Sequence, residues 1–260
     1  MISRARLDGA AWMKRLIRTY LAKSGYEVRN RNDVALDPAF LELIQHVRPF
    51  TMTSAERMYG LYSAIHYIVA NRIPGAIVEC GVWKGGSMML VAKTLIELGA
   101  TDRQLYLYDT FAGMTAPTDR DVSSDNVPAQ AQWHKMQRAT VNDWCYAAEE
   151  EVRRNVLSTG YPPARVTFVK GPVETTIPRT VPEDIALLRL DTDWYESTYH
   201  ELEHLYPRLV LNGVLILDDY ESWQGARAAV DAFVAERNLK ILLNRLDYSA
   251  RIGIKTAPLS

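Results

Sequence analysis

The spacing of apolar positions changes character near Gly75. Before it, apolar residues recur every three or four positions, which predicts helices over about 5–24, 37–47 and 53–71. The last of these, TSAERMYGLYSAIHYIVAN, offers Thr53 or Ser54 as a cap ahead of its apolar face, and Pro74 with Gly75 ends it. Beyond Gly75 short apolar runs alternate with amphipathic stretches. AIVECGV precedes a helix at 86–99, QLYLYDTF follows, and a helix at about 144–159 leads into RVTFVKG. IALLRLD precedes a helix at 196–206, and GVLILDD one at 222–237. These runs are apolar throughout, as strands covered on both faces are. The closing runs, KILLNRL and ARIGIKT, are joined only by DYS, too short for a parallel crossover, so they predict an antiparallel hairpin. Residues 112–143 are polar and aperiodic, the signature of a functional loop.

Strands alternating with helices predict an α/β protein with a mostly parallel sheet covered on both faces. Seven strands closed by an antiparallel hairpin follow the plan of the class I methyltransferase (Rossmann-like) fold, and ligands in such sheets sit beyond the carboxyl ends of the strands. The expected organisation is an N-terminal helical extension over 1–50, then one domain over 51–260 with a lid insertion around 112–150.

Composition narrows the classes. Of 260 residues, 48% are hydrophobic and 23% charged, enough for a sizeable core. A net charge of −1 provides no basic field for nucleic acid. No apolar run reaches the roughly 18 residues of a membrane span. The basic N-terminus reads as an amphipathic packing helix without the apolar core of a signal peptide, so we expect a cytoplasmic protein, assembled as a homodimer or larger through these helices. Two cysteines, Cys80 and Cys145, form no disulfide or metal framework, and Cys80 reads as a packing thiol in a buried strand.

VECGVWKGGSMML places Glu79, Gly81, Gly85, Gly86 and Ser87 at a strand-to-helix turn, where glycines let the backbone approach a ligand. The spacing is not the G-x-G-x-x-G of dinucleotide sites. A glutamate at the strand end would repel a pyrophosphate but suits a ligand with a cationic group, such as the amino group of S-adenosylmethionine. Asp109, ending the second strand, sits where an acidic side chain accepts ribose hydroxyls. Gly171 and Val173, with Glu174, fall where an adenine edge would lie.

Two apolar strands end in paired carboxylates: Asp191 with Asp193, and Asp218 with Asp219. On neighbouring strands these would converge at one rim and raise each other's pKa unless a cation lies among them. Oxygen-only ligands point to a hard ion, magnesium or calcium, with Asp191, Asp218 and Asp219 as its ligands. A hydroxyl beside such an ion loses its proton more easily, and Asp193 is placed to accept it. The alternative for Asp193 is to cap the helix that follows.

VECGVWKGGS, LYDTFAGM, LLRLDTDWYEST and NGVLILDDY together resemble the macrocin O-methyltransferase family, over about residues 51–234. That resemblance implies methyl transfer from S-adenosylmethionine to a hydroxyl of a sugar or glycosylated small molecule. It implies Mg2+ held by Asp191, Asp218 and Asp219, with Asp191 and Asp193 as the catalytic carboxylates. It also implies that TMTSAERM borders the cofactor, through Thr51, Met52 and Ser54. Trp133, His134 and Trp144 lie in the segment that would choose the acceptor, and His134 is an alternative base. A phenol or catechol methyltransferase would share the metal logic. A nucleotide-sugar oxidoreductase or epimerase lacks its glycine fingerprint and Tyr-x-x-x-Lys pair here, and a nucleoside-binding module would not need the carboxylates.

Overall fold

The computed structural model describes residues 37–258. The helix expected over 5–24, and with it the ground for a homodimer, lies outside the described residues. The first described helix is α1 (Pro38–Val47), followed by α2 (Ala55–Ala70). Ser54 starts α2 as its cap, its hydroxyl accepting the Arg57 N–H at 3.1 Å. Then come β1 (Ala76–Cys80), α3 (Gly86–Glu97), β2 (Leu105–Asp109), α4 (Ala129–Met136), α5 (Glu149–Leu157), β3 (Val166–Lys170) and a single turn, α6 (Val173–Thr176). β4 (Ile185–Leu190), α7 (Tyr195–Leu205), β5 (Leu209–Leu217), α8 (Gln224–Glu236), β6 (Asn244–Arg245) and β7 (Arg251–Ile254) complete the chain.

The seven strands form one sheet in the order β3-β2-β1-β4-β5-β7-β6. β1 to β5 run parallel, and β7 lies antiparallel between β5 and β6. This is the class I methyltransferase architecture that the strand pattern predicts. The period of two along each strand divides the core. Ile77, Leu107, Leu187 and Ile216 face one way, onto α1, α2, α3 and α5. Val78, Leu188, Leu190, Leu215 and Leu217 face the other, onto Leu202 and Leu205 of α7 and Val230 and Phe233 of α8.

Three expectations shift at their boundaries. The helix expected from residue 144 begins only at Glu149, where three glutamates in its first turn favour a helix N-terminus. Residues 144 and 145 form a turn instead, with Cys145 at positive φ (54°). The segment expected to be a loop contains α4, a helix with only Ala129 buried, so no apolar periodicity announces it. KILLNRL contributes only Asn244 and Arg245 to the sheet. It lies at the sheet edge beyond β7, and Leu242 there is 74% exposed.

The described part of the 1–50 extension is not peripheral. Phe40, Leu43 and Val47 of α1 are buried in the same cluster as Met58, Leu61 and Ile65 of α2. Phe40 is 1% exposed and packs edge-on against Tyr59, ring centres 5.0 Å apart. Phe40→Ala is therefore expected to cost about 3–5 kcal/mol in urea unfolding, the range for truncating a buried aromatic. A loss below about 0.5 kcal/mol, as for a surface change, would show that α1 is an appendage.

Candidate active site

The parallel strands end at one rim, and their hydrogen-bond ladder continues past the last strand residues. The Gly81 N–H donates to Tyr108 C=O at 2.8 Å, Asp191 N–H to Cys80 C=O at 2.9 Å, and Asp218 N–H to Leu190 C=O at 2.9 Å. Gly81 (φ +80°) is required here, because a Cβ at this position would lie 1.9 Å from the Asp191 carbonyl oxygen. Strand register then fixes which side chains meet. Glu79 is the direct partner of Arg189, and Arg189 of Ile216. Residues two further along share the same face, so Asp191 and Asp218 join Glu79 and Arg189 in one row.

Arg189 is the residue that sequence reasoning missed. It is 4% exposed, and its guanidinium donates to Glu79, to Asp191 Oδ2 at 2.8 Å and to Asp218 Oδ1 at 2.6 Å. A second cation, Arg57 of α2, donates to Asp218 Oδ2 and pairs with Asp247 Oδ2 at 3.0 Å. The positive charge that the carboxylates require is thus partly built into the chain. The signal was present: an arginine inside LLRL, two residues before Asp191 and so on its face, in a strand otherwise apolar.

The electrostatics remain tense. Burial pushes the Asp191 carboxyl well above its usual range, against Arg189, and Asp218 and Asp193 push it further. Burial does the same to Asp219, with Asp193 and Asp191 adding to it. Asp193 is raised to about 6 by burial, opposed by hydrogen bonding with Asp219 and Trp223. Although burial opposes its charge, Arg189 is held protonated by Asp191, Asp218 and Glu79. One carboxylate oxygen from each of Asp191, Asp218 and Asp219 lies within 4.8 Å of the others. Among the described residues this cluster holds three carboxylates and no histidine or cysteine, a donor set that fits a hard divalent cation.

The other end of the cleft has a different character. Glu79 is 1% exposed, and burial raises its carboxyl to about 7 in spite of Arg189. Its Oε2 is buried without a hydrogen-bond partner. An orphaned carboxylate oxygen on the cleft wall fits a ligand that brings an ammonium group. Gly81, Ser87, Asp109, Gly171 and Val173 line the same cleft, as do Thr51 and Met52. Asp109 also works within the protein. Its Oδ2 accepts the Val82 and Trp83 N–H groups at 2.8 and 3.1 Å, and its Oδ1 accepts the Phe111 N–H at 2.8 Å. It therefore clamps the glycine turn, and a ribose hydroxyl would use its remaining lone pairs.

Two residues expected to border the cofactor are not among those lining the cleft. Ser54 caps α2 and donates to Asp247 Oδ2 at 2.7 Å. Gly85 starts α3 at φ +85°, where a Cβ would meet Val156 of α5 at 2.9 Å, so its role is close packing. Trp144 does line the cleft, whereas Trp133 ties down the insertion by donating to the Met114 carbonyl at 2.9 Å, and His134 stays outside the lining. At the acidic end Trp144, Trp194 and Trp223 pack on one another, with ring centres 4.9–5.9 Å apart.

Asp191, Asp193, Asp218 and Asp219 all line the cleft. Asp193 does not cap α7. The Tyr195 N–H is taken at 2.8 Å by Asp121 Oδ1, from the insertion. Asp193 instead sits at φ +65°, with its own N–H on Asp219 Oδ2 at 3.2 Å. A non-glycine residue in that region is strained, and such strain collects at functional sites.

Comparison with known proteins matches this arrangement to a family. The model of the macrocin-O-methyltransferase family matches residues 11–252. Demethyldecarbamoylnovobiocin O-methyltransferase of Streptomyces niveus is 32% identical over 197 residues, 76% of this chain and 72% of that protein. The 8-demethyl-8-(2,3-dimethoxy-α-L-rhamnosyl)-tetracenomycin-C 4′-O-methyltransferase of Streptomyces olivaceus is 34% identical over 170 residues, 65% of this chain and 62% of that protein. Among solved structures, the O-methyltransferase NovP superposes with a TM-score of 0.71 at 29% identity, covering 80% of this chain and 83% of that one. The fold, the cleft and these matches agree: the chain belongs to the macrocin-O-methyltransferase family and is an S-adenosylmethionine-dependent O-methyltransferase.

Proposed function

We propose that this enzyme methylates a hydroxyl of a sugar or glycosylated small molecule, with Mg2+ held by Asp191, Asp218 and Asp219. The observation that carries the proposal is the two-ended cleft. The unpartnered Glu79 oxygen awaits a cation at one end, and at the other three clustered carboxylates stand beside Asp193. A relative whose name contains a rhamnosyl group favours a sugar acceptor over a planar phenol.

When bound, S-adenosylmethionine supplies an electrophilic methyl group and the metal ion acidifies a nearby hydroxyl. The chain's own residues do the rest. Glu79 would receive the cofactor's amino group, and Arg189 keeps that glutamate oriented through its second oxygen. Asp109 holds the Gly81–Trp83 turn that would border the cofactor. The Asp193 carboxylate, beside Asp219, takes the acceptor's proton as general base. The Trp144, Trp194 and Trp223 cluster keeps water from the acidic end.

We also assign the protein to the cytoplasm, where Cys80 and Cys145 remain free thiols, as a homodimer or larger. Among the described residues no helix is long and apolar enough to cross a membrane.

Three measurements test the reading. Glu79→Gln is expected to weaken binding of S-adenosylhomocysteine by calorimetry by roughly 10- to 100-fold, the loss of one hydrogen bond to a charged group; unchanged affinity would move the cofactor's amino group elsewhere. Asp193→Asn is expected to lower kcat by about 10²- to 10⁴-fold, the usual contribution of a general base, while binding S-adenosylhomocysteine normally. Turnover should cease in EDTA and return with added Mg2+, and full turnover in chelator would remove the metal from the proposal.

A further inference from the structure

Asp193 sits in a turn that the chain does not favour on its own. Trp194 N–H bonds back to Thr192 C=O at 2.8 Å, with Asp193 at its centre at φ +65°. That is a three-residue γ-turn of the positive-φ kind, which is rare and strained. Such a conformation costs about 1–3 kcal/mol and persists only where the surroundings over-determine it.

The surroundings do so through the amides on either side of the turn's own bond. The Asp193 N–H goes to Asp219 Oδ2 at 3.2 Å, the Trp194 N–H to Thr192, and the Tyr195 N–H to Asp121 Oδ1 at 2.8 Å. Asp121 belongs to the insertion between β2 and α4 and is fully buried. Its other oxygen is anchored locally, accepting the Thr118 N–H at 2.6 Å and the Thr118 hydroxyl at 3.0 Å. A Cβ on Gly225, at the start of α8, would lie 2.4 Å from Asp121 Oδ1. The carboxylate is therefore wedged between the first turns of two helices. The insertion adds a second tie nearby, the Trp194 indole N–H on the Thr115 carbonyl at 3.0 Å.

We propose that Asp121 is a positioning residue for methyl transfer. It touches neither acceptor nor cofactor, and it acts by capping α7 from outside and so holding the strained turn that aims Asp193 into the cleft. This rests on Asp193 being the general base. The sequence offers Asp193 itself as the natural cap of α7, and that role would turn its carboxylate back onto the helix. By supplying the cap from the insertion, the fold leaves Asp193 available for chemistry, and the acceptor-covering segment becomes part of the catalytic geometry.

A double-mutant cycle separates positioning from general support. Asp121→Ala is expected to lower kcat by roughly 100-fold, the scale of a small misplacement of a catalytic group, with KM for S-adenosylmethionine and affinity for S-adenosylhomocysteine unchanged. The double variant Asp121→Ala/Asp193→Asn should turn over no more slowly than Asp193→Asn alone, because the group being positioned is already gone. Multiplicative losses, or wild-type kcat in Asp121→Ala, would overturn the proposal. Wild-type kcat in Asp193→Asn would instead sink the assignment of the base. Should Asp121→Ala not fold, Asp121→Asn takes its place in the cycle. Its amide offers one acceptor oxygen where Tyr195 and Thr118 both present N–H groups, so the clamp is weakened, and kcat should fall in the otherwise wild-type enzyme but not in the Asp193→Asn background; equal losses in both backgrounds overturn the proposal.

Discussion

One buried guanidinium sets the terms for this site. Arg189 lies in the middle of a parallel sheet, where a charge has no water to solvate it, and it survives there only because Glu79, Asp191 and Asp218 surround it. Removing one partner from such a group costs about 3–5 kcal/mol, since the charge left behind is neither paired nor hydrated. The dependence runs both ways. Without Arg189, Glu79 in β1 and Asp218 just past β5 would be buried carboxylates on either side of β4, with no cation between them. The arginine thus permits a sheet rim rich in carboxylates, and a rim rich in carboxylates is what a cation-binding cleft requires.

Its reach also joins the two ends of the cleft. A single planar fork contacts Glu79 on one side and Asp191 and Asp218 on the other. A lysine would offer one point charge in place of this geometry and could not bridge three strand ends. Arg57 takes the outer oxygen of Asp218 and links it to Asp247 in the turn between β6 and β7. The antiparallel hairpin at the sheet edge is therefore more than a closing device, because it supplies the carboxylate that holds Arg57 in place.

The sequence made the local features readable and left the long-range ones hidden. Apolar runs gave the strands, because burial on both faces demands unbroken hydrophobicity. The short link DYS gave the hairpin, because no parallel crossover fits in three residues. Asp191, Asp218 and Asp219 could be grouped because each follows the end of a strand, and parallel strands end together. Arg189 escaped notice because its meaning depends on register: it is a misfit in β4 until Glu79 is found beside it. Asp121 escaped for a similar reason, since 74 residues separate it from the amide it caps. β6 was overread because KILLNRL has the composition of a strand but only one neighbour to pair with.

The same contrast accounts for how the site is built. The carboxylates that share a face with Arg189 are fixed by the sheet, and their positions follow from register. Asp193 lies two residues beyond Asp191, where the ladder has ended and nothing in β4 dictates its direction. Its geometry must come from elsewhere, and it does: Asp219 holds its amide, the insertion holds the next helix start, and the following Trp194 packs on Trp144 and Trp223. A group that only binds charge can sit on a strand. The base proposed at Asp193 has to meet a particular oxygen at a particular angle, so it needs support that can be adjusted without disturbing the sheet, and an insertion between β2 and α4 provides it.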